Sequence, residues 1–251
     1  MRVQYCSDLH LESEENRRYF ETGSLQVSGE ILVLAGDIIP MLDENYNNSF
    51  LHFISKNYKQ VFWVPGNHEF YYRNISDFDI SFNYNLFGNI NIVNNIALQY
   101  EDTYFIFSTL WSWISKNKEK HIEQNVADFE CITNNEKKFK VPDYNRLHEE
   151  SLKFIRQSLA QGKDKVVIVT HHIPSLLCNK PVHNYSNINE AFCVELTDFI
   201  EDSNARFWLY GHSHFNQKPL YIGNTIMLTN QLGYIKLNEQ EGFRHNAYFA
   251  I

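Results

Sequence analysis

Short apolar runs recur along the chain, and most of them close on a polar loop. They lie at residues 1–6, 31–35, 61–64, 104–107, 166–169 and 207–209. Those at 31–35, 61–64 and 166–169 are continuously apolar and mostly β-branched or bulky, as strands buried on both faces are. Between them the period changes. Residues 48–58 place Phe50, Leu51, Ile54 and Tyr58 at helical spacing. Residues 144–161 do the same with Leu147, Phe154, Ile155 and Leu159, with Asp143 suited to cap the start and Gly162 the end. A third helix is predicted over 189–202, with Leu196, Phe199 and Ile200 inward. Strand, polar loop, helix and strand in succession predict β-α-β units and a sheet with helices packed on it.

The remaining stretches are less regular. Residues 12–29 are polar, with a turn expected at Thr22-Gly23, and 70–95 are aromatic and Asn-rich with a short strand at 89–93. Residues 115–140 are the most polar part. A loop-and-helix excursion near 112–142 is expected there, either covering a site or forming a solvated surface insertion. Residues 220–251 read as antiparallel strands with a hairpin turn at Gly223-Asn224. No internal repeat or linker divides the chain, so residues 1–251 are expected to form one domain.

Composition narrows the setting. A chain of 251 residues can bury a large core. A formal net charge of −8 argues against a broad electrostatic grip on nucleic acid and favours small substrates. Cys6, Cys131, Cys178 and Cys193 show no CxxC spacing and read as reduced thiols. No signal peptide or membrane-length apolar run is evident, so a soluble cytoplasmic protein is expected, with no membrane partner. Nothing in the pattern sets an oligomeric state.

Five predicted strand ends deliver metal-type ligands to the following loop: Asp8 and His10, Asp37, Asn67 and His68, His171 with His172, and His212 and His214. Each group alone is as well explained by turn chemistry or a core histidine. Together those explanations need five coincidences. In α/β folds the carboxyl ends of strands gather on one edge, where sites are built. Imidazoles, carboxylates and an amide oxygen suit Mn²⁺, Fe or Zn²⁺ more than Ca²⁺, and the absence of cysteine there disfavours a thiolate zinc site. The ligands are too many for one ion. Two divalent ions roughly 3.5–4 Å apart would use them all. Asp37, alone after its strand and between the other groups, is the best bridge. Mn²⁺ ranks first, with Fe, Zn²⁺ or Mg²⁺ as alternatives.

The ordered set Asp8-x-His10, Gly36-Asp37, Gly66-Asn67-His68-Glu69, Thr170-His171 and Gly211-His212-Ser213-His214 resembles the calcineurin-like metallophosphoesterase superfamily. The resemblance covers residues 8–214. The phrase Ser7-Asp8-Leu9-His10-Leu11-Glu12, with Thr109-Leu110-Trp111, Ala191-Phe192 and Gly233-Tyr234, is similar to a compact bacterial subgroup. It implies an α/β fold, a four-layer α/β/β/α sandwich with two central mixed sheets and a dinuclear site at the strand C-terminal edge. By the same resemblance Asp8, His10 and His214 would hold one ion and Asn67, His171 and His212 the other, with Asp37 shared. His68 would stand beside the phosphate as proton donor or transition-state stabiliser. His172 and Glu69 match common neighbours of the motifs. Tyr71, Tyr72 and Trp111 are candidates either to stack a base or sugar or to pack in the core.

The chemistry expected is metal-dependent hydrolysis of small phosphodiesters or phosphomonoesters. Two divalent ions would lower the pKa of a bridging water, supplying hydroxide for in-line attack on phosphorus. A nuclease on the same core and a non-catalytic protein-binding scaffold are the alternatives.

Overall fold

The computed structural model describes residues 1–22 and 25–251. In chain order the elements begin with β1 (Arg2–Cys6), α1 (Glu14–Thr22), β2 (Ile31–Ala35), α2 (Ser49–Asn57), β3 (Gln60–Val64), β4 (Phe82–Phe87) and β5 (Ile90–Asn94). The middle of the chain forms β6 (Ile96–Tyr100), β7 (Thr103–Ser108), α3 (Glu119–Asn125), α4 (Asp128–Cys131), β8 (Thr133–Asn134), β9 (Lys137–Lys138) and α5 (Val141–Leu159). It ends with β10 (Val166–Thr170), α6 (Thr197–Glu201), β11 (Phe207–Leu209), β12 (Leu220–Ile222), β13 (Thr225–Leu228) and β14 (Tyr248–Ala250). The turn expected at Thr22-Gly23 runs into residue 23, outside the described residues.

Two six-stranded mixed sheets form the centre, in the orders β14-β1-β2-β3-β5-β4 and β12-β13-β11-β10-β7-β6. They share one plan. In each the four inner strands run parallel, and the two outermost pair antiparallel. Alternation along each strand sorts the side chains into three layers. Val3, Ile31, Val33, Phe62 and Val64 of the first sheet meet Phe105, Phe107, Val167, Val169 and Leu209 of the second. On the outer side of the first sheet, Leu32, Leu34, Val61 and Trp63 pack on Phe50, Leu51 and Ile54 of α2. On the outer side of the second, Ile106, Ile168 and Trp208 pack on Ile155 of α5 and Ile200 of α6. The result is the four-layer α/β/β/α sandwich. Each fully buried Val, Leu or Phe stabilises it by about 1.5–3 kcal/mol.

Helix α2 starts where its cap allows: the Asn48 side chain accepts from Phe50 N at 2.8 Å. Helix α5 begins at Val141, ahead of the expected Tyr144. Asp143 sits in its first turn and accepts from Lys140 N at 3.1 Å, rather than standing before the helix.

Three expectations change. No continuous helix covers 189–202. Ile173 N donates to Phe192 O and Val194 N to Ile173 O, at 3.2 and 3.0 Å, which holds Cys193 in an isolated bridge between a 3₁₀ turn at Asn189–Ala191 and the short α6. Leu196 and Phe199 are nonetheless packed partly inward, and Ile200 is buried. Residues 70–95 contain the additional strand β4, a half-exposed edge whose residues Phe-Asn-Tyr-Asn-Leu-Phe show no buried stripe. After the β12–β13 hairpin, turning at Gly223, β13 also runs parallel to β11, and residues 229–247 carry only turns, the 3₁₀ turn Ile235–Leu237 among them, and an isolated bridge at Gln231. Among the described residues no helix is long and apolar enough to cross a membrane.

Candidate metal centre

Strands β1, β2 and β3 are parallel neighbours in one sheet, and β10 and β11 in the other, so their C-terminal ends open on a common edge. Backbone bonds then lash the loops together. Asp8 N donates to Gly36 O at 2.9 Å, His10 N to Asp37 O at 3.0 Å, and Leu11 N to Ile38 O at 2.8 Å. Gly211 N reaches His171 O at 2.9 Å, and His212 N reaches Asp8 Oδ1 at the same distance. His212 and His214 lie beyond the end of β11, so no strand pleat orients them. Asp8, His10, Asp37, His212 and His214 all have left-handed backbones, with φ of 55°, 45°, 55°, 78° and 50°. Such conformations cost roughly 1–3 kcal/mol each in non-glycine residues and persist only where surroundings impose them. Close approach excludes side chains nearby: a Cβ on Gly36 would strike His171 Nδ1, and one on Gly66 would strike Asp37 Oδ1.

The structure brings all seven ligand-type residues into one cluster. His171 Nδ1 lies 2.9 Å from Ala35 O, which can only accept, so Nδ1 carries the proton and Nε2 presents a lone pair. That Nε2 faces Asn67 Oδ1 at 3.1 Å, His212 Nδ1 at 3.0 Å and Asp37 Oδ2 at 3.3 Å. On the other side His10 Nδ1 is turned to Glu12 Oε1 at 3.0 Å and His214 Nδ1 to Glu239 Oε2 at 2.6 Å. Their Nε2 atoms therefore confront each other at 2.9 Å, with His214 Nε2 3.6 Å from Asp8 Oδ1. Asp37 Oδ2 lies between the two sets, 3.9 Å from His10 Nε2. Lone pairs converge on lone pairs, an arrangement that needs cations. Asp8, His10 and His214 form one ligand group, and Asp37, His171 and His212 another. The donor set fits divalent metal ions.

Protons answer the same demand. Burial opposes charge on His171, but Asp37 beside it outweighs burial and raises its pKa to about 10. Burial likewise opposes ionisation of Asp37, yet His171, His68 and His10 hold it well below the carboxylate range. Burial and the adjacent rings push His212 well down.

His68 stands at the rim. Its backbone N donates to Asp37 Oδ1 at 3.0 Å, its ring stacks on Tyr71 at 4.1 Å, and Nδ1 meets Glu12 Oε1 at 3.0 Å. Nε2 points inward, 4.0 Å from Asp37 Oδ2. Against burial, Asp37 and Glu12 raise its pKa to about 9. One oxygen of Glu12 thus orients both His10 and His68.

Carboxylates supply most of what the sequence reading left unassigned. Glu69 is fully buried and accepts from Asp37 N, Ile38 N, Gly66 N and Trp63 Nε1 at 2.6–2.9 Å. Asp128 comes from the polar excursion and accepts from Asn67 Nδ2 and Tyr71 OH, both at 2.8 Å. By taking the amide nitrogen it turns Asn67 Oδ1 toward His171. Glu12 was legible only as part of a phrase. Asp128 and Glu239 had no local signal at all, being one acid among many in polar segments.

The proposed substrate contacts are placed differently. Trp111 is 2% exposed and enclosed by Phe70, Phe139, Tyr144 and His172, so neither face is open to a base. Burial accounts for it as a packing aromatic. His172 is also buried, its Nδ1 3.3 Å from Thr109 O and its ring against His212. Tyr72 is 73% exposed, and its ring centroid lies 6.4 Å from that of Tyr71.

Two facing sheets with a histidine–carboxylate cluster across their common edge define a protein built to hold divalent metal ions. Residues 1–216 match the calcineurin-like phosphoesterase family, and the chain belongs to that family. It is 35% identical, over an alignment of 277 positions, to the uncharacterized protein L509 of Acanthamoeba polyphaga mimivirus, with 99% of this chain and 96% of the relative covered. Among solved structures it is similar to phosphopantetheinyl hydrolase (PptH) of Mycobacterium tuberculosis. There the TM-score is 0.71 at 20% identity, covering 97% of this chain and 93% of the other. A looser likeness, TM-score 0.49 at 14% identity, joins it to a dimetal phosphatase of Danio rerio, covering 92% and 87%. The protein is a phosphoric ester hydrolase that uses divalent metal ions.

Replacing Glu69 with Ala strands four buried donors and is expected to lower unfolding free energy by at least about 3 kcal/mol. Urea titration measures this, and a loss under about 1 kcal/mol would show that Glu69 is not the tie between its loops. Asp128→Ala frees the Asn67 amide and is expected to weaken divalent-cation affinity by about 10–100-fold. Metal titration of the folded variant reads this directly; an unchanged affinity would leave Asp128 a packing residue.

Proposed function

We propose that the protein hydrolyses small phosphodiesters or phosphomonoesters at a dinuclear centre. Asp8, His10 and His214 hold one cation, Asn67, His171 and His212 the other, and Asp37 serves both. The observation that carries this reading is the position of Asp37 Oδ2 between the His171 and His10 imidazoles, with the His68 Nε2 atom 4.0 Å away. When bound, two divalent cations supply Lewis acidity, activating water and offsetting charge on the phosphoryl oxygens. Mn²⁺ is the first choice for this mixed nitrogen and oxygen set, ahead of Fe, Zn²⁺ and Mg²⁺.

The chain's own residues do the rest. Asp128 fixes Asn67, Glu12 fixes His10, and Glu239 fixes His214, so the ligands are oriented before substrate arrives. His68 donates a proton from Nε2 to the leaving oxygen, while Glu12 holds Nδ1 and with it the ring's direction. No nucleophilic Ser or Cys is needed. A cytoplasmic setting, as expected from the cysteine spacing, belongs to this reading.

Asp37→Asn is expected to lower the content of both cations together; elemental analysis showing one ion at full occupancy would remove Asp37 from the shared position. His68→Ala is expected to keep both cations and lose most turnover, by about 10²–10⁴-fold if it acts as general acid. Full activity of that variant on an ordinary phosphoester would end its role. Comparing p-nitrophenyl phosphate with bis-p-nitrophenyl phosphate at saturating Mn²⁺ separates monoesterase from diesterase.

A further inference from the structure

A cavity of about 320 Å³ opens beside the metal cluster, with His212, Ser213 and His214 as one wall. That is within the range of sites for small organic groups. Phe192 stacks on His212 at 4.7 Å and, with Ile188, adds apolar surface to the lining. A further cavity, of about 350 Å³ around Arg73 and Asp77, shares no residue with the cluster.

The chemistry of this wall is selective. Part of its amide capacity is already engaged: Asn179 Nδ2 donates to Asn189 Oδ1 at 2.7 Å, and Asn179 Oδ1 accepts from Lys180 N at 2.8 Å. Among the described residues no lysine or arginine lines the cavity. The nearest such cation in sequence, Lys180, has its Nζ over the Phe215 ring at 6.0 Å. His183, also lining the cavity, is pushed below its ordinary pKa by partial burial and by Lys180. Glu239 brings a negative charge to the lining. An anionic group entering here would lose water, meet no lysine or arginine side chain in the lining and face a carboxylate, which is costly.

We propose that this cavity receives the organic arm of the phosphoester and selects an uncharged arm, so that preferred substrates carry one phosphoryl group and no second phosphate or carboxylate. This rests on the phosphoesterase reading above and adds the substrate class to it. The reacting phosphoryl group lies at the cluster, and the arm extends past His212 and His214 against Phe192 and Ile188.

The test compares p-nitrophenyl phenyl phosphate with its 4-carboxyphenyl counterpart on the Mn²⁺-loaded enzyme. The two differ by one carboxylate remote from phosphorus. We expect kcat/KM at least about tenfold higher for the neutral ester, mostly through KM. Ser186 also lines the cavity; Ser186→Phe and Ile188→Trp, which fill it, should cut kcat/KM for the phenyl ester about tenfold while leaving the bound-cation content, read by elemental analysis, unchanged. Ser186→Lys should restore the carboxyphenyl ester at least about fivefold in KM, an effect that a merely destabilised fold would not produce. Equal use of the two esters, or filled variants that keep the wild-type preference, would overturn the cavity assignment alone. No turnover of any ester by the metal-loaded protein would overturn the phosphoesterase reading and this inference with it.

Discussion

The Glu69 carboxylate joins two loops that the sheet alone would leave as independent exits. Strands β2 and β3 end side by side, but parallel pairing fixes only where they stop. Beyond that point Glu69 gathers the backbone donors of Asp37, Ile38 and Gly66 and the indole of Trp63. The indole belongs to the outer face of the first sheet, so the loop geometry is referenced to the core itself. Asp37 is thereby aimed at His171, and the backbone hydrogen bonds from Asp8, His10 and Leu11 bring the first loop into the same frame. The second sheet is registered by His171, whose Nδ1 is committed to Ala35 O across the sandwich.

That commitment has an electrostatic counterpart. A protein that points lone pairs at lone pairs holds the cluster in place by packing and by outer carboxylates, not by mutual attraction of the ligands. Protons are the simplest occupants, as the raised pKa of His171 shows. Divalent cations displace them with more charge and better geometry, so metal binding and proton release are linked. Glu12, Asp128 and Glu239 each hold a ligand from behind, which leaves the facing atoms free.

Much of the plan was legible because strands buried on both faces write a continuous apolar run, and the runs at 31–35, 61–64, 166–169 and 207–209 each lead into a loop that carries ligand-type residues. The ligand residues could be read for the same reason: they lie within a few residues of strand ends. What was hidden depends on partners distant in sequence. Strand β4 is a polar edge whose pairing with β5 leaves no apolar alternation. The stretch predicted as a helix over 189–202 is claimed instead by hydrogen bonds to Ile173, which outcompete its local preference. Asp128 lies in a segment rich in charged residues, and only the three-dimensional position of Asn67 sets it apart. Trp111 has the right ring for stacking, but burial decides its use.

The left-handed backbones at Asp8, His10, Asp37, His212 and His214 carry a consequence for how the sequence can drift. Outside glycine, that conformation is tolerated best by Asp, Asn and His. Those same three residue types make up the ligand set. Two filters, one conformational and one chemical, therefore admit nearly the same short alphabet at each position. A β-branched or bulky replacement fails both at once. An exchange among Asp, Asn and His can keep the loop's path while changing its charge and its ligand atom. The scaffold is thus more permissive about which metal it holds than about where it holds it, and retuning of the centre among descendants of this chain would run along that narrow track.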